Sequence, residues 1–175
     1  EYDRPDNMQW DPATAPQEML LSDVLHHDEL FRNYPHLRQT RLRFERLPLG
    51  RQGVFDGENI ILDDGLRGVP DYILVHEIQH AIQEYEGFAR GSSPEYWAQR
   101  IGEGYARQGE DGTPMSSRDL YRNTAGEIEA RDASNRILMT PERRRKNLPK
   151  RGNENTVFVE DEADGESRVV FSEQS

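Results

Sequence analysis

Residues 70 to 87 constrain this chain more than any other stretch. Pro70 suits a first helical turn, where its missing N–H costs nothing, and Gly87 suits the C-terminal cap. Between them Leu74, Ile78, Ala81, Ile82 and Tyr85 recur at i, i+4, i+7, i+8 and i+11, the stripe of an amphipathic helix. Inside that helix, residues 76 to 80 read His-Glu-Ile-Gln-His. At about 100° per residue, His76 and His80 lie one above the other and away from the stripe, with Glu77 nearer its edge. Two neutral imidazoles so placed can share one Zn²⁺, and Glu77 can take a proton from water on the metal. The alternative is a solvent-facing polar surface that happens to carry two histidines. A chance match is expected in about one or two such chains per hundred, so the pattern needs support from elsewhere.

At 175 residues the chain suits one domain with a real core. Its 34% hydrophobic and 31% charged residues, with mean hydropathy −0.96, predict sizeable loops or flexible ends. The net charge of −11 argues against nucleic acid as a partner of the domain, since phosphate binding needs a basic face. One basic run, Arg143-Arg144-Arg145-Lys146 with Lys150 and Arg151, reads as a solvated, disordered segment. No cysteine is present, so any metal is held by histidines and carboxylates. Within residues 1–175 no stretch is long and apolar enough for a membrane span and none reads as a signal peptide. A start at Glu1 reads as a piece of a longer polypeptide, with the cytoplasm as the default location.

Residues 1 to 17, with Pro5, Pro12 and Pro16, read as a flexible lead-in. One or two short helices follow over Leu21–Leu25 and Glu29–Tyr34, interrupted by Pro35. His26, His27 and His36 lie here and read as surface or capping residues. Arg41–Leu47 alternates like a half-buried strand, and Val54-Phe55 with Asn59–Leu62 predicts a hairpin turning near Asp56-Gly57. The expectation is a small antiparallel sheet before the motif helix, whose edge strand could lay an extended peptide across the metal. A short helix is expected around Glu95–Ala98, and a long one from Ser116 or Ser117 to about Met139, stopped by Thr140-Pro141. Thr156–Val159 and Arg168–Phe171 could form a C-terminal hairpin.

A catalytic zinc site takes three protein ligands and keeps a position open for water. The long helix offers Glu127 and Glu129, which lie about 200° apart, so at most one faces a given metal. Glu127 shares its side with Leu120, Thr124 and Leu138 and is the candidate, although Ala125, Ala133 and Ile137 give the other side some apolar character. Tyr105, Tyr121 and Arg131 are possible donors to an oxyanion, and the sequence does not choose among them.

Four segments together carry a family likeness: Leu30-Phe31-x-x-Tyr34-Pro35-x-Leu37, His76–Gln83, Glu86–Gly91, and Gly126-Glu127-x-Glu129-Ala130-Arg131. Over residues 18 to 142 the chain resembles a large polyvalent protein-associated domain, of the subgroup numbered 23. Such domains occur within very long polyproteins of phages and conjugative elements and are regarded as metallopeptidase-like. More distantly, Glu127-Ile128-Glu129-Ala130-Arg131 and Ile137-Leu138-Met139-Thr140-Pro141 are similar to segments of metallopeptidases of the bacterial stress-response and anti-repressor group. There the glutamate three before the alanine binds the metal, which again selects Glu127. The chain departs from that pattern at Arg131 and Ala133, and Thr140 is inserted before Pro141.

The resemblance implies a zincin-like α+β fold, with the sheet packed on the His-Glu-x-x-His helix and a second long helix bearing a ligand. Residues 18–141 would form the metallopeptidase domain and 142–175 a polar tail. The function it implies is gluzincin-like peptide hydrolysis, with His76, His80 and Glu127 on zinc, Glu77 as general base, and a protein or peptide substrate. Rival readings are a zincin-like interaction module without turnover, a metal hydrolase of another class such as a deamidase, and a metal-free buried polar network.

Overall fold

The computed structural model describes residues 17–66, 71–150, 152–153 and 155–159. The expected helix start at Pro70, the lead-in over residues 1–16 and the Arg168–Phe171 segment lie outside them.

The architecture is mixed α+β, with four strands and seven α-helices among the described residues. Strands β1 (Glu18–Leu20), β2 (Arg41–Glu45), β3 (Gly53–Phe55) and β4 (Asn59–Asp63) form one sheet in the order β1-β2-β4-β3. The β3–β4 hairpin turns at Asp56-Gly57 as expected: Gly57 has φ 100°, and Asp56 Oδ1 accepts from the backbone N–H of Glu58 and Asn59 at 2.9 and 2.7 Å. The sheet as a whole is not antiparallel. β4 runs parallel to β2, pairing Leu42 with Ile60 and Phe44 with Leu62, while β1 pairs antiparallel with β2. Burial explains the order. The Asn-Ile-Ile-Leu run of β4 buries Ile60 and Leu62 completely and takes the interior, whereas the half-buried Gly-Val-Phe of β3 takes the edge.

Before β2 the chain forms two short helices, α1 (Leu21–Val24) and α2 (Asp28–Asn33), and a 3₁₀ turn over Pro35–Gln39. Their Leu21, Val24, Leu25, Phe31 and Leu37 pack with Leu42, Ile60 and Leu62 of the sheet and with Ile73, Leu74, Ile78 and Ala81 of helix α3 (Asp71–Glu86). The α3 stripe is therefore core through Ala81. Tyr85 departs from it: it is exposed, and its ring stacks on His36 at 4.0 Å. α3 ends in a Schellman cap, with Gly87 at φ 65° and the Phe88 N–H donating to the Gln83 carbonyl at 3.2 Å.

Helix α4 (Pro94–Gly102) starts at the Ser93 cap and buries Trp97. The long helix expected after Ser116 is in fact two: α5 (Ser117–Asn123) and α6 (Ala125–Ile137), broken at Thr124, whose φ −63° and ψ 133° are extended. A strand-like segment fills the break. Val157 O accepts from the Ala125 N–H, and the Val157 N–H donates to Asn123 O, both at 2.8 Å. Thr124 and Val157 form a parallel bridge, so backbone groups freed by the break are paired from residues far along the chain. Val157, Trp97 and Leu120 make a second small core. Thr156–Val159 thus serves to seat this junction.

Arg151 lies outside the described residues, and the Arg143–Lys146 part of the basic run is helical rather than disordered. It forms α7 (Pro141–Lys146), capped by Thr140 and wholly exposed, and Arg136 of α6 donates to the carbonyls of Asn147 and Arg144 at 2.7 and 3.2 Å. No helix among the described residues is long and apolar enough to cross a membrane.

Candidate metal centre

On α3 the i, i+4 spacing stacks His76 and His80 with their Nε2 atoms 3.1 Å apart. α6 supplies the third group. Because the helix restarts at Ala125, Glu127 falls in its first turn, where the helix dipole favours a carboxylate. Its Oε2 lies 3.5 Å from His76 Nε2 and its Oε1 3.4 Å from His80 Nε2. Three donors around one tetrahedral Zn²⁺ at 2.0–2.1 Å would be about 3.3–3.4 Å apart; here one donor atom from each of the three residues lies within 4.8 Å of the others. Glu127 is 2% exposed, and its Oε2 makes no hydrogen bond to any described residue. The donor set, two imidazoles and a carboxylate, is one that zinc accepts.

His80 and Glu127 are each held from behind. His80 Nδ1 lies 2.9 Å from Gln83 Oε1; since an amide oxygen only accepts, Nδ1 carries the proton and Nε2 presents its lone pair to the centre. Gln83 is 1% exposed and is itself fixed, its Nε2 donating to Gly126 O at 3.0 Å and to Glu129 Oε2 at 3.1 Å. Glu129 thus points away from the histidines and reaches them only through Gln83. Glu127 Oε1 accepts from the Ser92 N–H at 3.2 Å. Ser92 is anchored in turn, its Oγ 2.8 Å from Thr124 Oγ1 and accepting from Trp97 Nε1 at 2.9 Å.

The segment after α3 must pass very close to reach this position. Ala89 adopts φ 52°, a left-handed conformation costing about 1–2 kcal/mol for a non-glycine residue. A Cβ on Gly91 would lie 2.6 Å from His80 Cε1, and one on Gly126 would collide with the Ala89 carbonyl oxygen. Both positions require glycine because the chain crosses against the site there.

Charge follows from the packing. Burial and the nearby His76 push His80 below its ordinary 6.5 even against the pull of Glu127, favouring the neutral ring that binds metal. Burial pushes the Glu127 carboxyl up, but His76, His80 and the Ser92 N–H outweigh it and leave it below 4.5. Glu77 is 5% exposed, beneath edge strand β3, where a Cβ on Gly53 would lie 2.7 Å from Glu77 Oε1. That burial, with the Glu127 charge nearby, pushes it to about 7 despite His76 and the Phe55 N–H. A carboxyl near neutrality can both accept and return a proton.

These groups border an open cleft of about 1330 Å³ between β3, α3, the 90–96 segment and α5. Tyr121 and Arg131 line it beside Glu127; burial and that carboxylate hold the Tyr121 phenol well above its ordinary 10.0, hence un-ionised. Arg131 lies 3.8 Å from Glu127 Oε2 and donates to the Arg122 carbonyl. Tyr105 is elsewhere, packed 5.2 Å from the Trp97 ring. His27 caps α2 by accepting from the Leu30 N–H at 3.1 Å, His26 is exposed, and neither joins the cluster. Sequence reasoning assigned no role to Gln83, Ser92 or Thr124. The one available signal was a glutamine three residues beyond His80, on the same helix face.

No protein-family model, curated protein or solved structure matches this chain.

Proposed function

We propose that this chain is a zinc-dependent, gluzincin-like peptidase in which His76, His80 and Glu127 hold the metal. The observation that carries the reading is the cluster of His76, His80 and the buried Glu127, whose Oε2 makes no hydrogen bond and lies 3.5 Å from His76 Nε2 while Oε1 lies 3.4 Å from His80 Nε2. Zinc bound there would supply Lewis acidity, polarising a carbonyl and lowering the pKa of a water towards about 7. Glu77 takes a proton from the attacking water and passes it to the leaving amine as the C–N bond breaks. The un-ionised Tyr121 hydroxyl engages Glu127 and would have to turn from that carboxylate to donate to an oxyanion. Edge strand β3 borders the cleft and, apart from the Phe55 N–H that Glu77 engages, presents its outer backbone edge to an extended peptide. The likeness of residues 18 to 142 to domains of phage and conjugative-element polyproteins supports the same reading and makes the chain a module of a larger protein.

Metal content tests this directly. After zinc reconstitution and dialysis, plasma mass spectrometry should find near-stoichiometric zinc in the wild type and in Glu129→Ala, and none in His76→Ala or Glu127→Ala. Glu77→Gln should keep zinc and lose peptide cleavage. A wild type that stays metal-free sinks the hydrolase reading. Stoichiometric zinc without cleavage of any peptide leaves a zinc-holding interaction module.

A further inference from the structure

Five arginines border the cleft, Arg51, Arg90, Arg118, Arg122 and Arg131, in a chain whose net charge is −11. Three of them face carboxylates of the chain itself. Arg51 reaches Glu95 at 2.7 Å, Arg90 Nε lies 3.3 Å from Glu84, and Arg131 lies 3.8 Å from Glu127. Arg118 and Arg122 differ. They are four residues apart on α5, hence on one face, and both are exposed. Asp119, the carboxylate of their own helix, is engaged at the cap by the Ser116 hydroxyl and N–H at 2.5 and 3.1 Å. Arg122 acts on it only through space.

Resting on the peptidase reading, we propose that Arg118 and Arg122 form a subsite for a carboxylate of the substrate, so that the cleft selects acidic peptides. Guanidinium groups match carboxylates in a two-point fork, and two of them on one helix face give a local positive field. The rest of this acidic chain repels such a peptide, which concentrates its binding at the cleft. Arg118 and Arg122 line the same cleft as His76, Glu77, His80 and Glu127, so the subsite opens on the cavity that holds the reacting centre. The recognised group is then an acidic side chain close to the scissile bond or the peptide's own C-terminal carboxylate.

The test uses the full chain carrying Glu77→Gln and loaded with zinc, so that bound peptides persist. The probes are fluorescein-labelled Ala-Gly peptides with a single Glu, Gln or Lys at successive positions, each with a free or an amidated C-terminus. Anisotropy should show Glu peptides binding about fivefold tighter than their Gln counterparts at low salt, the ratio narrowing as salt rises. Adding Arg118→Gln and Arg122→Gln should bring that ratio to about one, and Arg122→Glu should favour the Lys peptides. A preference lost on amidation identifies the C-terminal carboxylate as the group bound; one that survives identifies the side chain. Equal binding of all three peptide types, no binding of any, or a carboxylate preference that survives both substitutions overturns the proposal. Both arginines are exposed, and unchanged zinc content verifies that the variants are folded. The peptidase reading fails separately, by wild-type protein that holds zinc yet cleaves none of these peptides.

Discussion

Gln83 holds His80 in the tautomer that turns an unprotonated Nε2 towards Glu127: its Oε1 sits 2.9 Å from Nδ1. The same side chain closes the α3–α6 interface by donating to Gly126 O and Glu129. The proposed metal site and the helix packing therefore share one buried amide.

Replacing it separates the two effects. Gln83→Leu should weaken zinc binding by about 10–100-fold, read by chelator competition. It should also lower stability by about 1–3 kcal/mol in urea, because Gly126 O loses its donor in a buried site. Lower stability with unchanged zinc affinity would reduce Gln83 to a packing residue.

Gly91→Ala should do the reverse. The φ of Gly91 is not in the left-handed region, so the backbone tolerates alanine, but the added Cβ meets His80 Nδ1 at 2.7 Å. Zinc affinity should fall by about tenfold or more while the thermal midpoint of the zinc-free protein moves little. A normal affinity would mean that the His80 ring relocates without consequence.

Thr124→Val keeps the shape at the helix break but removes a hydroxyl that donates to Leu120 O at 3.0 Å and accepts from Trp97 Nε1 at 3.0 Å. Loss of about 1–3 kcal/mol of stability is expected. Zinc affinity should drop with it, because Ser92 Oγ loses one of its two partners and the Ser92 N–H is what positions Glu127. Calorimetry with and without zinc reads both; no change in either would show the hydroxyl to be dispensable.

Asp63 predicts an acid-dependent contribution at the end of β4. Its carboxylate accepts from the N–H of Leu47 and Gly65 at 2.9 and 2.8 Å, and these bonds hold its pKa below the ordinary 3.8. A depressed carboxyl contributes stability above its unfolded value and loses it as pH falls through the folded one. The gap in urea midpoint between wild type and Asp63→Ala should accordingly be largest near neutrality and close in acid below 3.8. A gap independent of pH would assign the effect to packing.

What the sequence determined by itself is whatever depends on near neighbours. The i, i+4 histidines, the apolar face of α3 as far as Ala81, the Gly87 cap and the Asp56-Gly57 turn all follow from helix and turn geometry over a few residues. The tertiary structure decided the rest. It placed β4 between β2 and β3 because the most buried strand goes to the middle of the sheet. It broke the second long helix at Thr124, because Val157 could pair the freed backbone and Ser92 and Trp97 could satisfy the hydroxyl. Helical periodicity alone put Glu127 on a plausible side; the break put it in a first turn, against two imidazoles from another helix. Local propensity cannot contain that outcome, since the groups that fix it lie about 30 residues away on either side of Thr124.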